Sequence, residues 1–294
     1  MFSTPAAELV AKSGDPLLSV RDLRVTFGAQ RGVVHAVRGV SFDVGREKVA
    51  IVGESGSGKS TIGRAILKLL PSYARIEAES IQLGEVDLGS AQEKAMRQIR
   101  GRQISMIMQD PKYSLNPVVS VGRQIAEAYR VHHPVGLRVA RQRALEMLDA
   151  VRIRSPEAVY DLYPHQISGG MGQRIMIAMM LAPKPRLIIA DEPTSALDVT
   201  VRLQVLAILD DLVREQGIGL IFVTHDLNLV RSFCDRVLIM YAGRIVEEVA
   251  ARDLDAARHP YTQGLLNSLP RIDQPRERLA VLQRDPSWLD AVAP

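Results

Sequence analysis

The chain carries the stretch Gly53-Glu54-Ser55-Gly56-Ser57-Gly58-Lys59-Ser60-Thr61, which matches the phosphate-binding P-loop pattern G-x-x-x-x-G-K-[ST]. Residues 49–52 ahead of it have the composition of a short buried strand. Residues 61–70 behind it have that of a helix stopped by Pro71. Between a strand and a helix start, backbone N–H groups can face an anion, and glycines allow the loop to curl around it. We therefore predict a phosphate-binding site; the alternative is a Gly/Ser-rich turn before an ordinary helix.

Length and composition restrict the class of protein. The 294 residues are enough for one large domain with appendages, and 47% apolar with 24% charged residues is typical of a soluble globular protein. No apolar run approaches the ~18–20 residues of a membrane helix, and no signal peptide is evident. The single cysteine, Cys234, excludes an internal disulfide framework. An aromatic content of 4% argues against a base-stacking surface, so we expect a soluble, intracellular protein that does not bind nucleic acid.

Hydrophobic patterns divide the chain into regions. In order, we predict a poorly ordered lead-in (1–16), an antiparallel sheet (17–48), the P-loop unit (49–95), a mainly helical region (96–183) and a strand–helix region (186–249). The last region contains two buried strands, 187–190 and 220–223, which suit a parallel sheet covered on both faces. It closes in a hairpin around Ala242-Gly243. The tail from Arg271 is rich in charge and proline, and we predict that it is loosely held.

Two carboxylates directly follow one of these buried strands. Residues 187–190 are apolar and lead into Asp191 and Glu192. Ligands of α/β sheets bind beyond the carboxyl ends of the strands, so both side chains are expected to face the nucleotide. We predict that Asp191 holds Mg²⁺ beside the Ser60 hydroxyl and that Glu192 orients and deprotonates the attacking water. The alternative is a strand that simply ends in an acidic, proline-stopped turn.

Two further segments have the composition of anion-contacting turns. His225 comes shortly after strand 220–223 and is therefore expected at the same sheet edge, within reach of a γ-phosphate. A lone histidine after a strand is usually a turn residue, so its assignment depends on its companions. The small-residue turn Ser168-Gly169-Gly170 opens another helix. Ser168 can cap that helix and leave N–H groups for a second anion.

The order of these segments resembles that of the ATP-binding cassette (ABC) ATPases over about residues 17–270. The matching segments are the P-loop (Walker A), Gln109 (Q-loop), Ser168-Gly169-Gly170 (signature), residues 187–192 (Walker B), Ser195-Ala196-Leu197-Asp198 (D-loop) and His225 (H-switch). The segments Ile107-Met108-Gln109-Asp110-Pro111, Ser114-Leu115-Asn116-Pro117 and His259-Pro260-Tyr261-Thr262 resemble the dipeptide/oligopeptide (and nickel) importer branch.

The resemblance implies the fold and the domain limits. The fold would be α/β, with a P-loop NTPase (RecA-like) core, an antiparallel β subdomain and a helical signature subdomain at about 96–183. The nucleotide-binding domain would cover residues 17–250, after a flexible N-terminus at 1–16. A C-terminal extension of the oligopeptide-importer type would follow at 251–294.

The resemblance also implies how ATP and Mg²⁺ are held. Residues 53–61 would surround the phosphates, with Lys59 on the β- and γ-phosphates. Phe27 would stack on the adenine, with core packing as the alternative. Gln109 would contact Mg²⁺ or the water and relay the nucleotide state to membrane subunits. His225 would hold the γ-phosphate.

A second ATPase subunit is implied as well. Its signature would close over the γ-phosphate bound by this chain, and Asp198 would contact it. The family's commonest signature has Gln where this chain has Met171, and the Gly-Gly-Met form is familiar in one member of a paired, non-identical set. We therefore expect a heterodimer with a paralogous ATPase subunit. Several relatives carry cysteines for an iron–sulfur cluster after the His-Pro-Tyr-Thr segment; those cysteines are lacking here, so we expect no such cluster.

The implied function is ATP hydrolysis that powers import. The other partners would be two transmembrane permease subunits and an extracytoplasmic substrate-binding protein, with this chain peripheral on the cytoplasmic face of the cell inner membrane. Peptides are the leading substrate class; nickel or metal chelates, glutathione and opines are alternatives. Rival readings are a soluble ABC ATPase acting on nucleic acid and a non-hydrolysing scaffold. The single cassette without zinc cysteines argues against the first, and the complete catalytic set argues against the second.

Overall fold

The computed structural model describes residues 16–29, 32–195, 197–269, 285 and 288. In these residues the strands are β1 (Leu18–Ala29), β2 (Gly32–Val44), β3 (Lys48–Val52), β4 (Ala74–Glu77), β5 (Ser80–Leu83), β6 (Val86–Asp87), β7 (Ile104–Ile107), β8 (Leu187–Asp191), β9 (Gly219–Thr224), β10 (Arg236–Tyr241) and β11 (Arg244–Ala250). The α-helices are α1 (Lys59–Ile66), α2 (Glu93–Ile99), α3 (Val121–His132), α4 (Leu137–Ala150), α5 (Pro156–Tyr160), α6 (Gly169–Leu181), α7 (Val199–Gln216), α8 (Leu227–Phe233) and α9 (Pro260–Asn267).

A six-stranded sheet forms the centre of the molecule. Its order is β11-β10-β3-β9-β8-β7, in which β10 to β7 are parallel and β11 is an antiparallel edge strand. The parallel strands are short apolar runs buried on both faces, as expected when helices or a second sheet cover a parallel sheet. Their carboxyl ends therefore meet at a single edge.

The two faces of this sheet belong to different cores. Alternate residues of a strand point to opposite faces, and in β9 Ile221 and Val223 join one core while Leu220 and Phe222 join the other. The first core is completed by α1 and the antiparallel sheet. The second is completed by helices α3, α4, α6, α7 and α8. The sheet is thus the middle layer between the P-loop helix and the helical region.

The predicted α/β fold with a P-loop core is confirmed, including its antiparallel sheet. Strands β1 and β2 pair over their whole length, and β4, β5 and β6 extend the sheet. The predicted hairpin around Ala242-Gly243 is formed by β10 and β11, and both turn residues have positive φ. Cys234 is buried, and burial raises the pKa of its thiol to about 12.

Two elements differ from the sequence-based expectations. Helix α1 ends at Ile66 rather than at residue 70, because Lys68 takes a left-handed conformation (φ +51°) before Pro71 is reached. The region 96–183, expected to be mainly helical, also supplies β7 to the central sheet. A four-residue apolar run is too short for its periodicity to separate a strand from a helix.

Some predictions concern segments that are not described. The flexible lead-in at 1–16 is described only at residue 16, and the loosely held tail from Arg271 only at Asp285 and Trp288, so both predictions lie outside the described residues. Among the helices that are described, none is both long and apolar enough to cross a membrane.

The central sheet generates a stability prediction. Phe222 is 0% exposed, with its ring 5.0 Å from that of Phe233, so Phe222→Ala leaves a cavity in the second core. We expect the free energy of unfolding to fall by about 3–5 kcal/mol in urea denaturation followed by circular dichroism. The control is Leu137→Ala, a 72% exposed position, which should change it by less than about 0.5 kcal/mol. Equal effects of the two variants would contradict the core assignment.

Candidate nucleotide site

The P-loop lies between the end of β3 and the start of α1, at the carboxyl edge of the sheet. Gly58 precedes the helix with φ +101°, and a Cβ there would lie 2.3 Å from the Ala36 carbonyl oxygen. Gly53 has φ +154°, and its Cβ would lie 2.1 Å from the Met240 carbonyl oxygen. Neither position has room for a side chain. The loop thus packs closely against neighbouring backbone at Gly53 and Gly58, whereas a Cβ at Gly56 would meet open space.

Lys59 is buried at the start of α1 and turns back over the loop. Its Nζ donates hydrogen bonds of 2.8 Å to the carbonyl oxygens of Gly53 and Glu54. Burial lowers the pKa of Lys59, and the carboxylates of Glu192 and Asp191 act in the opposite direction. An approaching anion strongly stabilises a desolvated ammonium group that has few carboxylate contacts.

Ser60 and Asp191 meet directly although 131 positions separate them in the sequence. The Ser60 hydroxyl donates a 2.6 Å hydrogen bond to Asp191 Oδ1, and an Arg64 guanidinium nitrogen lies 3.6 Å from Oδ2. Asp191 is 4% exposed, and burial raises the pKa of its carboxyl group against the effect of the Ser60 hydrogen bond. A desolvated carboxylate beside a hydroxyl is a pair of oxygen ligands of the kind that Mg²⁺ prefers.

Glu192 lies at the centre of a second cluster. Its Oε1 lies 3.1 Å from His225 Nδ1, and its Oε2 accepts a 3.4 Å hydrogen bond from the Gln109 amide. Because an ionised carboxylate only accepts, the His225 ring carries its proton on Nδ1 when this bond forms. Glu192 itself has a left-handed backbone (φ +46°), which is uncommon for a residue with a side chain and turns it out of the strand direction.

Strand pairing explains why these residues meet. Gln109, Glu192 and His225 each follow the end of one strand, and β7, β8 and β9 are neighbours in the sheet. The P-loop follows β3, which pairs with β9 on the other side. The structure therefore brings together Lys59, Ser60, Asp191 and this cluster, as the sequence predicts.

The residues of the predicted signature and D-loop lie at the starts of two helices. Ser168 caps α6 by accepting a hydrogen bond from the Met171 N–H, and Asp198 caps α7 by accepting one from the Val201 N–H. The two helix starts are adjacent, because a Cβ at Gly170 would lie 2.7 Å from the Val201 side chain. Within the described residues, no hydrogen bond joins this turn to the P-loop.

Phe27 lies near the end of β1, half-buried against the core below the antiparallel sheet. Its ring centroid is 6.1 Å from that of Tyr73, which is 65% exposed. Part of the Phe27 ring is accessible and part packs on the core, so one side chain can both stack on a base and contribute to core packing. The contact between Phe27 and Tyr73 was missed from the sequence, because Tyr73 lies in a turn between α1 and β4 with no recognisable pattern.

Two other contacts with the P-loop were also missed. The Gly243 N–H donates a 3.0 Å hydrogen bond to the Ser57 carbonyl oxygen, and the Tyr261 hydroxyl accepts a 3.0 Å hydrogen bond from the Glu54 N–H. Gly243 was recognised only as a hairpin residue and Tyr261 only as part of a branch motif. Their distance along the chain from the P-loop gives no signal of contact.

Comparisons with known proteins identify the family of this chain. Residues 37–195 match the ABC transporter family, and residues 246–292 match the C-terminal region of oligopeptide/dipeptide transporters. The dipeptide transport ATP-binding protein DppD of Haemophilus influenzae is 47% identical over 269 residues, which cover 91% of this chain and 82% of that protein. The oligopeptide transport ATP-binding protein OppD of Bacillus subtilis is 46% identical over 268 residues, covering 89% of this chain and 74% of that protein.

A solved structure is similar in fold as well as sequence. It is the dimeric ATP-binding cassette MJ0796 in a post-hydrolysis state bound to ADP and Pi, with a TM-score of 0.72 and 26% identity. The match covers 80% of this chain and 99% of that one. With the P-loop, the acidic strand end and the two helix-start turns in place, this chain belongs to the ABC transporter family and is an ATPase of that family.

Proposed function

We propose that this chain hydrolyses ATP to power the import of peptides or related small solutes through a membrane transporter. The observation that carries the proposal is the meeting of Gln109, Glu192 and His225 beside the P-loop, at the edge where Lys59 and Asp191 also lie. The names of the relatives and the match to the oligopeptide/dipeptide C-terminal region support peptides as the substrate class.

The phosphates of ATP would be held by the P-loop, residues 53–61. The N-terminal N–H groups of α1 point to the carboxyl edge of the sheet, and the Ser57 hydroxyl is buried with no hydrogen-bond partner among the described residues. Lys59 would exchange its bonds to loop carbonyls for the β- and γ-phosphates. Phe27 would stack on the adenine, with Tyr73 beside it.

The oxygen atoms of Ser60 and Asp191 lie 2.6 Å apart and suit Mg²⁺ as ligands. Gln109 would contact the ion or the attacking water. When bound, Mg²⁺ supplies neutralisation of phosphate charge and fixes the orientation of the phosphate oxygens. The buried Asp191 carboxylate would gain most from this charge, because it is desolvated.

Glu192 is assigned as the general base. Its carboxylate would accept a proton from water as the water oxygen attacks the γ-phosphorus and the bond to the bridging oxygen of ADP breaks, which yields ADP and inorganic phosphate. The Gln109 amide and His225 Nδ1 each contact one carboxylate oxygen, and so they fix its direction. His225 would also contact the γ-phosphate.

The second half of the site would come from another ATPase subunit. The Ser168-Gly169-Gly170 turn and Asp198 lie together at the starts of α6 and α7, and no hydrogen bond among the described residues joins them to this chain's own P-loop. They would therefore serve a nucleotide bound by the partner. Met171 in the signature supports a partner that is a paralogue rather than a second copy of this chain. Permease subunits and an extracytoplasmic binding protein would complete the importer, with this chain on the cytoplasmic face of the membrane.

Glu192→Gln tests the general base. The amide cannot take a proton, so we expect ATPase turnover to fall about 10²–10⁴-fold while ATP binding is retained. The measurement is phosphate release at saturating Mg-ATP, alongside calorimetric titration with ATP. The control is Glu215→Gln on the exposed end of α7, which should keep wild-type turnover. Wild-type turnover in Glu192→Gln would remove Glu192 from this role.

Lys59→Ala tests the phosphate site. Loss of a charged hydrogen-bond donor costs about 1.5–3 kcal/mol, so we expect the Kd for ATP to rise about 10- to 100-fold in calorimetric titration. Lys94→Ala, at an exposed position of α2, removes the same charge away from the loop and should leave the Kd unchanged. An unchanged Kd in Lys59→Ala would place the phosphates elsewhere.

Co-purification tests the assembly. A tagged copy of this chain, extracted gently from membranes in Mg-ATP, should carry two permease subunits and a paralogous ATPase that mass spectrometry identifies. Two copies of this chain without a paralogue would refute the heterodimer. Recovery from the soluble fraction alone would refute the importer.

A further inference from the structure

One peptide group of the P-loop is held from both sides. The Gly53 carbonyl oxygen accepts a 2.8 Å hydrogen bond from Lys59 Nζ, and the Glu54 N–H donates a 3.0 Å hydrogen bond to the Tyr261 hydroxyl. The C=O of Gly53 and the N–H of Glu54 belong to the same peptide plane and point in opposite directions. The two bonds together therefore fix the rotation of that plane.

Tyr261 comes from outside the P-loop unit. It lies in the first turn of α9, 207 positions from Glu54, and is 0% exposed. Its ring contacts those of Tyr241 and Trp288, with centroid distances of 4.5 Å and 5.7 Å. The ring is thus buried in an aromatic cluster while its hydroxyl reaches the loop, as a buried tyrosine hydroxyl requires a partner.

The position of Tyr261 is fixed independently of the P-loop. His259 caps α9, because its Nδ1 accepts a hydrogen bond from the Tyr261 N–H. One carboxylate oxygen of Glu247, on β11, accepts hydrogen bonds from the N–H groups of Arg258 and His259. Strand β11 is paired with β10 of the central sheet. The helix start is therefore attached to the same sheet that carries the P-loop.

We infer that Tyr261 is a positioning residue for nucleotide binding, which makes the segment around α9 part of the ATP site. The hydroxyl holds the Gly53–Glu54 peptide in the orientation in which its carbonyl faces Lys59. When Lys59 exchanges its bond to the Gly53 carbonyl for the phosphates, the bond to the hydroxyl remains and still restrains the peptide. Without the hydroxyl, the loop has more rotational freedom to lose when phosphate binds. The inference deepens the proposed function and rests on it, because it concerns the same phosphate site.

Tyr261→Phe removes only the hydroxyl and keeps the ring in the cluster. We expect the Kd for ATP to rise about 3- to 10-fold in calorimetric titration of the full chain, which corresponds to about 0.7–1.4 kcal/mol and lies within the usual net contribution of one hydrogen bond. In steady-state ATPase assays, KM for ATP should rise while kcat changes much less. The midpoint temperature of thermal unfolding without nucleotide should change little, because the aromatic packing is unchanged.

Tyr241→Phe is the matched control, since it removes a hydroxyl from the same aromatic cluster but not the bond to Glu54. It should bind ATP within twofold of wild type. A Tyr261→Phe Kd within twofold of wild type would overturn the inference, as would equal weakening in the control. If the wild-type chain does not bind ATP at all, the proposed function itself fails. That result differs from a failure of the Tyr261 inference alone, in which the wild-type chain still binds ATP.

The chain's only tryptophan provides a second readout that needs no variant. Trp288 packs on Tyr261, and its carbonyl oxygen lies 3.1 Å from His259 Nε2. Titration of the wild-type chain with ATP should therefore change Trp288 emission, with half-saturation at the calorimetric Kd. This change should be at least halved in Tyr261→Phe at saturating ATP. Emission unaffected by ATP in the wild type would contradict coupling between the loop and this segment.

Discussion

Parallel pairing of β3, β9, β8 and β7 is the constraint on which the site depends. Val52 pairs with Thr224 and Asp191 with Val223, so the strands end within a residue or two of one another. Each chemical group comes directly after such an end. Since side chains alternate along a strand, a shift of one residue in β8 would turn Asp191 to the opposite face and separate it from Ser60. The backbone ladder thus sets the distances between side chains that are far apart in the chain.

Burial gives the groups at this edge their chemical character. Lys59 and Asp191 are both desolvated. Burial lowers the pKa of Lys59 and raises that of Asp191, and each shift favours the neutral form of the group. An anion near Lys59 and a cation near Asp191 relieve these costs together, which favours a phosphate–magnesium pair over either ion alone. Glu192 differs because its side chain remains partly exposed, which suits the proposed role of a base that meets water. The two neighbouring carboxylates thus differ in burial and in hydrogen-bond partners, and the proposed division of roles rests on that difference.

The predicted site residues of this chain fall into two groups, each with its own local contacts. Lys59 and Glu192 lie on the P-loop side, whereas Ser168 and Asp198 cap the starts of α6 and α7 and keep their contacts local. Under the proposed function, a chain arranged in this way would offer one half of each of two sites. The contact between Tyr261 and Glu54 adds a third contributor, the segment beyond the central sheet. The start of α9 and the P-loop are thus joined directly by a hydrogen bond.

Local patterns determined much of this protein. The P-loop between a strand and a helix, the buried strand ending in Asp191 and Glu192, and the turn at Ser168 are readable because each depends on a few consecutive residues. The end of α1 was not readable, because the left-handed Lys68 ends the helix before Pro71. Nor were the bonds from Glu192 to Gln109 and His225, which span 83 and 33 positions, or that from Glu54 to Tyr261, which spans 207. Such contacts are decided by strand order and by how α9 packs, which depend on burial of the whole core rather than on any local preference.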